Sequence, residues 1–147
     1  MVLQRVKEAE VEVEGKITGQ INQGYLLLVG FTQGDDLLTI EKVAKKISEL
    51  RIFRDENDKM NKSIFDINGK ILSVSQFTLY ADIKKGRRPG FEKAMNYKEA
   101  ENYYKLFNEE LRKRNIEVEE GVFGGDMTVS LVNEGPVTII VDSEDLV

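Results

Sequence analysis

The stretch Ser75-Gln76-Phe77-Thr78 sets two hydroxyls three positions apart on either side of an amide and an aromatic ring. Such a set could serve a hydrolase if one hydroxyl were activated as a nucleophile. A serine or threonine oxygen is a weak nucleophile at neutral pH and needs an adjacent base. The 147-residue chain contains neither histidine nor cysteine. The usual neutral-pH base, the triads built on it, the commonest metal ligand and any thiol nucleophile are therefore absent. Catalysis has to draw on hydroxyls, carboxylates, lysines, main-chain groups or the substrate itself. If residues 75–80 continue a strand, Ser75, Phe77 and Leu79 share one face and Gln76, Thr78 and Tyr80 the other. A Ser75–Thr78 dyad then requires a bulge, and the spacing alone fits hydroxyls satisfied by local hydrogen bonds.

The second suggestive pair is Gly135-Pro136, containing one of only two prolines. Proline cannot donate to a sheet ladder, so it belongs at a strand start, on an edge or at a bulge. A glycine before it lets the backbone approach a ligand with no Cβ in the way. The basic run Lys84, Lys85, Arg87 and Arg88 beside Phe91 suits phosphate contacts, and equally suits a solvated loop. Residues 55–60 resemble a calcium loop, but Met60 stands where that loop needs glycine and Asp66 where it needs a closing glutamate. They read as a polar turn. Gly121, Gly124 and Gly125 match neither the dinucleotide fingerprint nor the phosphate loop.

These groups need a scaffold, and the pattern supplies one. The chain is 41% hydrophobic with a net charge of −5, enough apolar content for one domain and no general attraction to nucleic acid. Its first residues alternate charged and apolar types, unlike a signal peptide or membrane span, so a cytoplasmic protein with no membrane association is expected. Alternation predicts strands over 2–13 and 16–21, and the apolar run 25–31 predicts a strand buried on both faces. Helical periodicity predicts helices over 37–50 and from an Asn96 cap through Lys113. A short strand is expected at 51–53. Asn68-Gly69 predicts a hairpin joining 64–67 to 70–74, with the second strand running on into 75–81. Three further strands are expected near 116–122, 127–132 and 137–142. Strands outnumber helices, as in a layered α/β domain.

Taken in order, QRV (4–6), VEG (13–15), RIF (51–53), KMN (59–61), SQFTL (75–79), RRPGF (87–91), DM (126–127), SLVN (130–133) and GPVT (135–138) resemble the D-aminoacyl-tRNA deacylase family from end to end. The resemblance implies a three-layer α/β/β single domain over 1–147, with mixed and antiparallel sheets and two main helices. It implies a homodimer with the active site at the subunit interface and the acceptor end of aminoacyl-tRNA as partner. Ser75, Gln76, Phe77 and Thr78 would line the aminoacyl pocket, and Phe123, Gly124, Gly125 and Met127 would receive the terminal adenosine. Gly125 departs from the small non-glycine residue common in the family. Gly135-Pro136, cis in the family, would reach into the partner's site and reject L side chains.

The implied activity is hydrolysis of D-aminoacyl-tRNA, and of glycine misattached to tRNA, with no cofactor and no metal. Such esters are already activated, and each oriented N–H donor can supply about 3–4 kcal/mol of oxyanion stabilisation. Main-chain chemistry assisted by the ribose 2′-hydroxyl is the expected mechanism, with Thr78 as nucleophile ranked second. The reading of a different class is a non-catalytic dimeric RNA-binding module using residues 84–88 and Phe123, which the net negative charge fits poorly.

Overall fold

The structure, a computed structural model, describes residues 1–147. Alternating residues form β1 (Val2–Val13) and β2 (Lys16–Ile21), antiparallel neighbours joined at Glu14-Gly15. Both turn residues have positive φ, 51° and 78°, the backbone that two-residue hairpins require. β3 (Gly24–Val29) is the buried central strand that its apolar run predicts. It pairs antiparallel with the first half of β1 and parallel with β6 (Lys70–Ser75). β6 in turn pairs parallel with β7 (Glu117–Glu120).

Parallel neighbours need a crossover connection, and the two long helices supply them. α1 (Leu37–Glu49) lies between β3 and β6, and α2 (Tyr97–Lys113) between β6 and β7. Asp36 caps the first by accepting from the Thr39 N–H, and Asn96 caps the second by accepting from the Glu99 N–H. α2 buries Tyr104, Phe107, Asn108 and Leu111 on one stripe.

The pleat divides the interior into two cores. Tyr25, Leu27 and Val29 join Ile40, Ile47, Phe107 and Leu111 under the helices. On the other face, Leu26, Leu72 and Val74 join Val6, Val11 and Ile21. The sheet therefore curls until β1, β2 and the last strand, residues 128–140, cover the face that the helices leave open, which makes the third layer. At Gly19 in β2, an added Cβ would come 2.7 Å from the Glu120 carbonyl oxygen of β7. Glycine is what lets the curl close there. No helix is long and apolar enough to cross a membrane.

Three expectations are overturned. Residues 64–67 form turns, and Asn68-Gly69 leads into β6, whose partners β3 and β7 are both parallel to it. The Gly69 N–H donates to the Ile64 carbonyl at 2.9 Å, so the Asn-Gly signal closes a turn. Burial on both faces draws 70–75 into the sheet centre, where no hairpin partner fits. The hairpin in this region pairs β4 (Phe53–Arg54) with β5 (Met60–Lys62) instead. Its turn is the false calcium loop, in which Asp55 accepts from the Asn57 and Lys59 N–H groups.

The strands expected at 127–132 and 137–142 are one strand, β8 (Thr128–Ile140), paired antiparallel with β1. Within it Gln4 pairs with Thr138 and Val6 with Asn133. Arg5 thus faces a four-residue excursion, Glu134–Val137, with Gly135-Pro136 at its centre. The proline sits in a bulge of a sheet-edge strand and not at a strand start, and its missing N–H breaks no ladder. The third overturned expectation is the run of β6 into 75–81.

Candidate functional site

β6 ends at Ser75. Beyond it, β3 has ended at Val29 and β7 at Glu120, so the following residues have no ladder partner on either side. After a last bond from the Gln76 N–H to the Val29 carbonyl (2.7 Å), the backbone pairs with itself as a 3-10 turn, Phe77–Tyr80. Buried or half-buried peptide groups must find such partners. The two-face alternation expected for 75–80 accordingly does not exist. A 3-10 turn leaves its first N–H groups, those of Phe77 and Thr78, without an intrahelical acceptor.

The carboxyl ends of the three parallel strands open onto one cavity of ≈ 690 Å³, the size of sites that enclose small organic ligands. In open α/β sheets, ligands bind outside these strand ends. Gly30 follows β3, Ser75 ends β6 with Gln76 and Phe77 after it, and Phe123, Gly124, Gly125 and Met127 follow β7. Phe91 and Tyr97 complete the mouth. Two predicted groups, the 75–77 segment and the 123–127 segment, therefore form one wall although they lie far apart in sequence.

The aromatic rings are braced. Phe77 and Phe91 meet edge-on at 5.1 Å, and Phe123 packs on Tyr97 at 5.1 Å and Tyr104 at 5.7 Å. Phe77 and Tyr97 are 57% and 61% exposed, so apolar rings remain available at the mouth. Behind the wall, the buried Tyr104 hydroxyl donates to the Ser73 carbonyl at 2.6 Å. Burial pushes the Tyr104 pKa up, which keeps that hydroxyl protonated and donating. The Gly125 N–H donates to the Val122 carbonyl at 3.0 Å, and an added Cβ on Gly125 would stand 3.1 Å from Val122. Glycine at this position keeps the tight turn free of that contact.

Thr78 is exposed and off the cavity wall, and its oxygen accepts from the Gln76 side-chain amide. No lysine, arginine or histidine lines the cavity, and Asp126 is its only carboxylate. No three carboxylate or other ligand side chains are grouped to hold a metal ion.

Gly135 and Pro136 are exposed and also lie off this wall. Their peptide bond is cis, and Gly135 has φ 122°. The excursion is fixed from below by Arg5, which is 1% exposed. Its Nε donates to the Glu134 carbonyl at 3.0 Å and stands 3.3 Å from the Glu134 carboxylate, and a terminal nitrogen donates to the Ile52 carbonyl at 2.6 Å. The role of Arg5 was not foreseen, although an arginine in register with Leu3 on an inward strand face is a visible anomaly. Phe91, Tyr97 and Gly30 were likewise not foreseen as wall residues.

A smaller cavity of ≈ 240 Å³ lies beside Met1, Asp35, Tyr80 and Asp142. Burial raises the pKa of the Asp35 carboxyl, and it pushes that of Tyr80 up to about 12.

Comparison with known proteins places these features in context. The profile of a family described as D-Tyr-tRNA(Tyr) deacylase matches residues 2–142. A protein of Exiguobacterium sibiricum named D-aminoacyl-tRNA deacylase is 56% identical over 142 residues, 97% of this chain and 98% of that protein. One of the same name from Bacillus cytotoxicus is 56% identical over 144 residues, 98% of this chain and 99% of that protein. A solved structure titled c-Myc DNA Unwinding Element Binding Protein superposes with a TM-score of 0.87 at 41% identity, covering 94% of each chain. A probable eukaryotic D-amino acid tRNA deacylase shares the fold, with a TM-score of 0.78 at 18% identity over 94% of this chain and 95% of that one.

Proposed function

The chain belongs to the D-Tyr-tRNA(Tyr) deacylase family and is a hydrolase acting on the ester of D-aminoacyl-tRNA; from that premise we propose that main-chain donors in the 75–78 segment carry out the chemistry. The observation that carries this reading is the junction of Ser75, Gln76 and Phe77 with Phe123, Gly124, Gly125 and Met127 around one cavity in a chain with no histidine or cysteine. The terminal adenosine occupies the 123–127 side, and the aminoacyl carbonyl meets the Phe77 N–H at the start of the 3-10 turn. Water attacks that carbonyl, and charge builds on its oxygen, where such a donor contributes about 3–4 kcal/mol. The tetrahedral intermediate collapses by expelling the ribose oxygen, which takes up the proton that the attacking water gives up. The adjacent 2′-hydroxyl orients the water.

Thr78 as nucleophile is the weaker reading, because its oxygen is tied to Gln76 and lies off the wall. Thr78→Ala decides between them. Turnover within a few-fold of wild type is expected; a loss of several orders of magnitude would overturn the main-chain mechanism.

Chiral selection is assigned to Gly135-Pro136 of a second copy of the chain, in a cytoplasmic homodimer. Two features support it: the motif is exposed and absent from its own chain's cavity, and Arg5 holds it in place. A backbone filter grips no side chain, so D-amino acids of many kinds and achiral glycine pass, while an L side chain collides. Ester loss from D-Tyr-tRNA and Gly-tRNA, with L-Tyr-tRNA intact, is the expected outcome. Equal stability of the D and L esters would leave the non-catalytic RNA-binding module.

A further inference from the structure

The loop Asp82–Gly90 is unused by the chemistry above, yet it is firmly built. The Asp82 N–H donates to the Gly90 carbonyl at 2.7 Å, and the Gly90 N–H returns to the Asp82 carbonyl at 2.9 Å. The Lys84 N–H adds a bond to the Asp82 carboxylate at 2.9 Å. Between these clamps stand Lys84, Lys85, Arg87 and Arg88, all exposed. None of the four is in an ion pair, whereas the basic end of α2 is neutralised: Arg112 pairs with Glu109 and Glu120, and Lys113 with Glu110. Residues 82–93 carry five Lys and Arg against two Asp and Glu in a chain of net charge −5. An uncompensated cationic cluster on an otherwise acidic protein awaits an anion from outside.

The position of the cluster narrows the choice. Gly90 leads straight into Phe91, which lines the cavity mouth and packs edge-on against Phe77. The cations therefore stand on a pinned loop at the cavity rim. A cavity of ≈ 690 Å³ has room for a terminal aminoacyl nucleotide and not for the strand behind it, which must cross the rim. We propose that the 84–88 loop is an electrostatic clamp for the RNA phosphates just outside the cavity, so that the enzyme holds the body of its substrate at one local patch. Arginine suits this role through its planar, bidentate donor fork, and lysine as a point charge. The proposal rests on the deacylase reading of the cavity.

Four phosphate contacts give a log–log salt slope of about −3, on the order of 10²-fold in affinity between about 50 and about 200 mM salt. The test compares kcat and KM on D-Tyr-tRNA and on the short ester of D-Tyr with adenosine across that range. The full-length protein is used as wild type, as the fourfold variant Lys84→Gln, Lys85→Gln, Arg87→Gln and Arg88→Gln, and as a charge-preserving variant that exchanges Lys and Arg at the same positions. At low salt the neutral variant should raise KM for the tRNA on the order of 10²-fold, flatten its salt slope and leave kcat within about twofold. The short ester should be hydrolysed equally by all three proteins, and the charge-preserving variant should retain the slope. Equal losses on both substrates, or an undiminished slope, would overturn the clamp while leaving the deacylase reading intact. A wild-type protein that hydrolyses neither ester would overturn both.

Discussion

Replacing Gly135 by alanine tests the excursion in β8 directly. Two costs can be worked from the structure. Gly135 has φ 122°, a region that L residues occupy only under strain of about 1–3 kcal/mol. The new Cβ would also lie 2.8 Å from a terminal nitrogen of Arg5. That guanidinium is buried and committed to the Glu134 and Ile52 carbonyls, so it cannot swing aside without losing a charged hydrogen bond, itself about 1.5–3 kcal/mol. Partial relaxation of both leaves an expected loss of about 2–4 kcal/mol, or about 5–15 °C in melting temperature for a chain of this size. Urea denaturation at fixed protein concentration measures the first consequence. Deacylation of D-Tyr-tRNA, run well below the melting temperature, measures the second, where a fall of at least about tenfold in kcat/KM corresponds to 1.4 kcal/mol at the barrier. A variant with native stability and unchanged kinetics would show that neither the backbone conformation nor the approach to Arg5 constrains the motif, and would remove the chiral filter from this position.

Further tests follow from the same contacts. Tyr104→Phe removes the 2.6 Å bond to the Ser73 carbonyl and should cost about 1–2 kcal/mol in urea denaturation; no loss would mean that α2 does not brace β6 through this hydroxyl. Arg5→Met leaves the Glu134 and Ile52 carbonyls without their donor and should destabilise by about 2–4 kcal/mol, with wild-type stability as the contrary result. Asp35→Asn addresses pH. Burial raises the folded-state pKa of Asp35 above its ordinary 3.8, despite the Thr32 N–H and the terminal amine, and Asp36 and Asp142 act in the same direction as burial. The wild-type contribution is therefore fully present below that ordinary value and lost as pH rises through the folded one. The asparagine variant, which can still accept from Thr32, should be the more stable protein at pH 7, with the advantage shrinking towards pH 4; a gain that does not change with pH would refute the assignment.

Local chemistry wrote much of this protein into its sequence. Period-two alternation marked β1 and β2, the apolar run 25–31 marked the central strand, and Asn96 marked where the second helix begins. The missing histidine and cysteine excluded most hydrolytic mechanisms. Order along the chain identified the family, and with it the residues that the cavity gathers at 75–77 and 123–127. What the sequence could not convey depends on which edges are free. Lys70–Ser75 has the pattern of a hairpin strand, yet it lies between two parallel neighbours because only the sheet centre buries both its faces. The same neighbours end at Val29 and Glu120, and for that reason 77–80 turns into a 3-10 segment and exposes Thr78. Gly135-Pro136 reads locally as a strand start. Only the register against β1, with buried Arg5 opposite four residues, makes it a bulge held out from a continuous strand. Hydrogen bonds to distant partners decide such features, and neither periodicity nor propensity contains the identity of those partners.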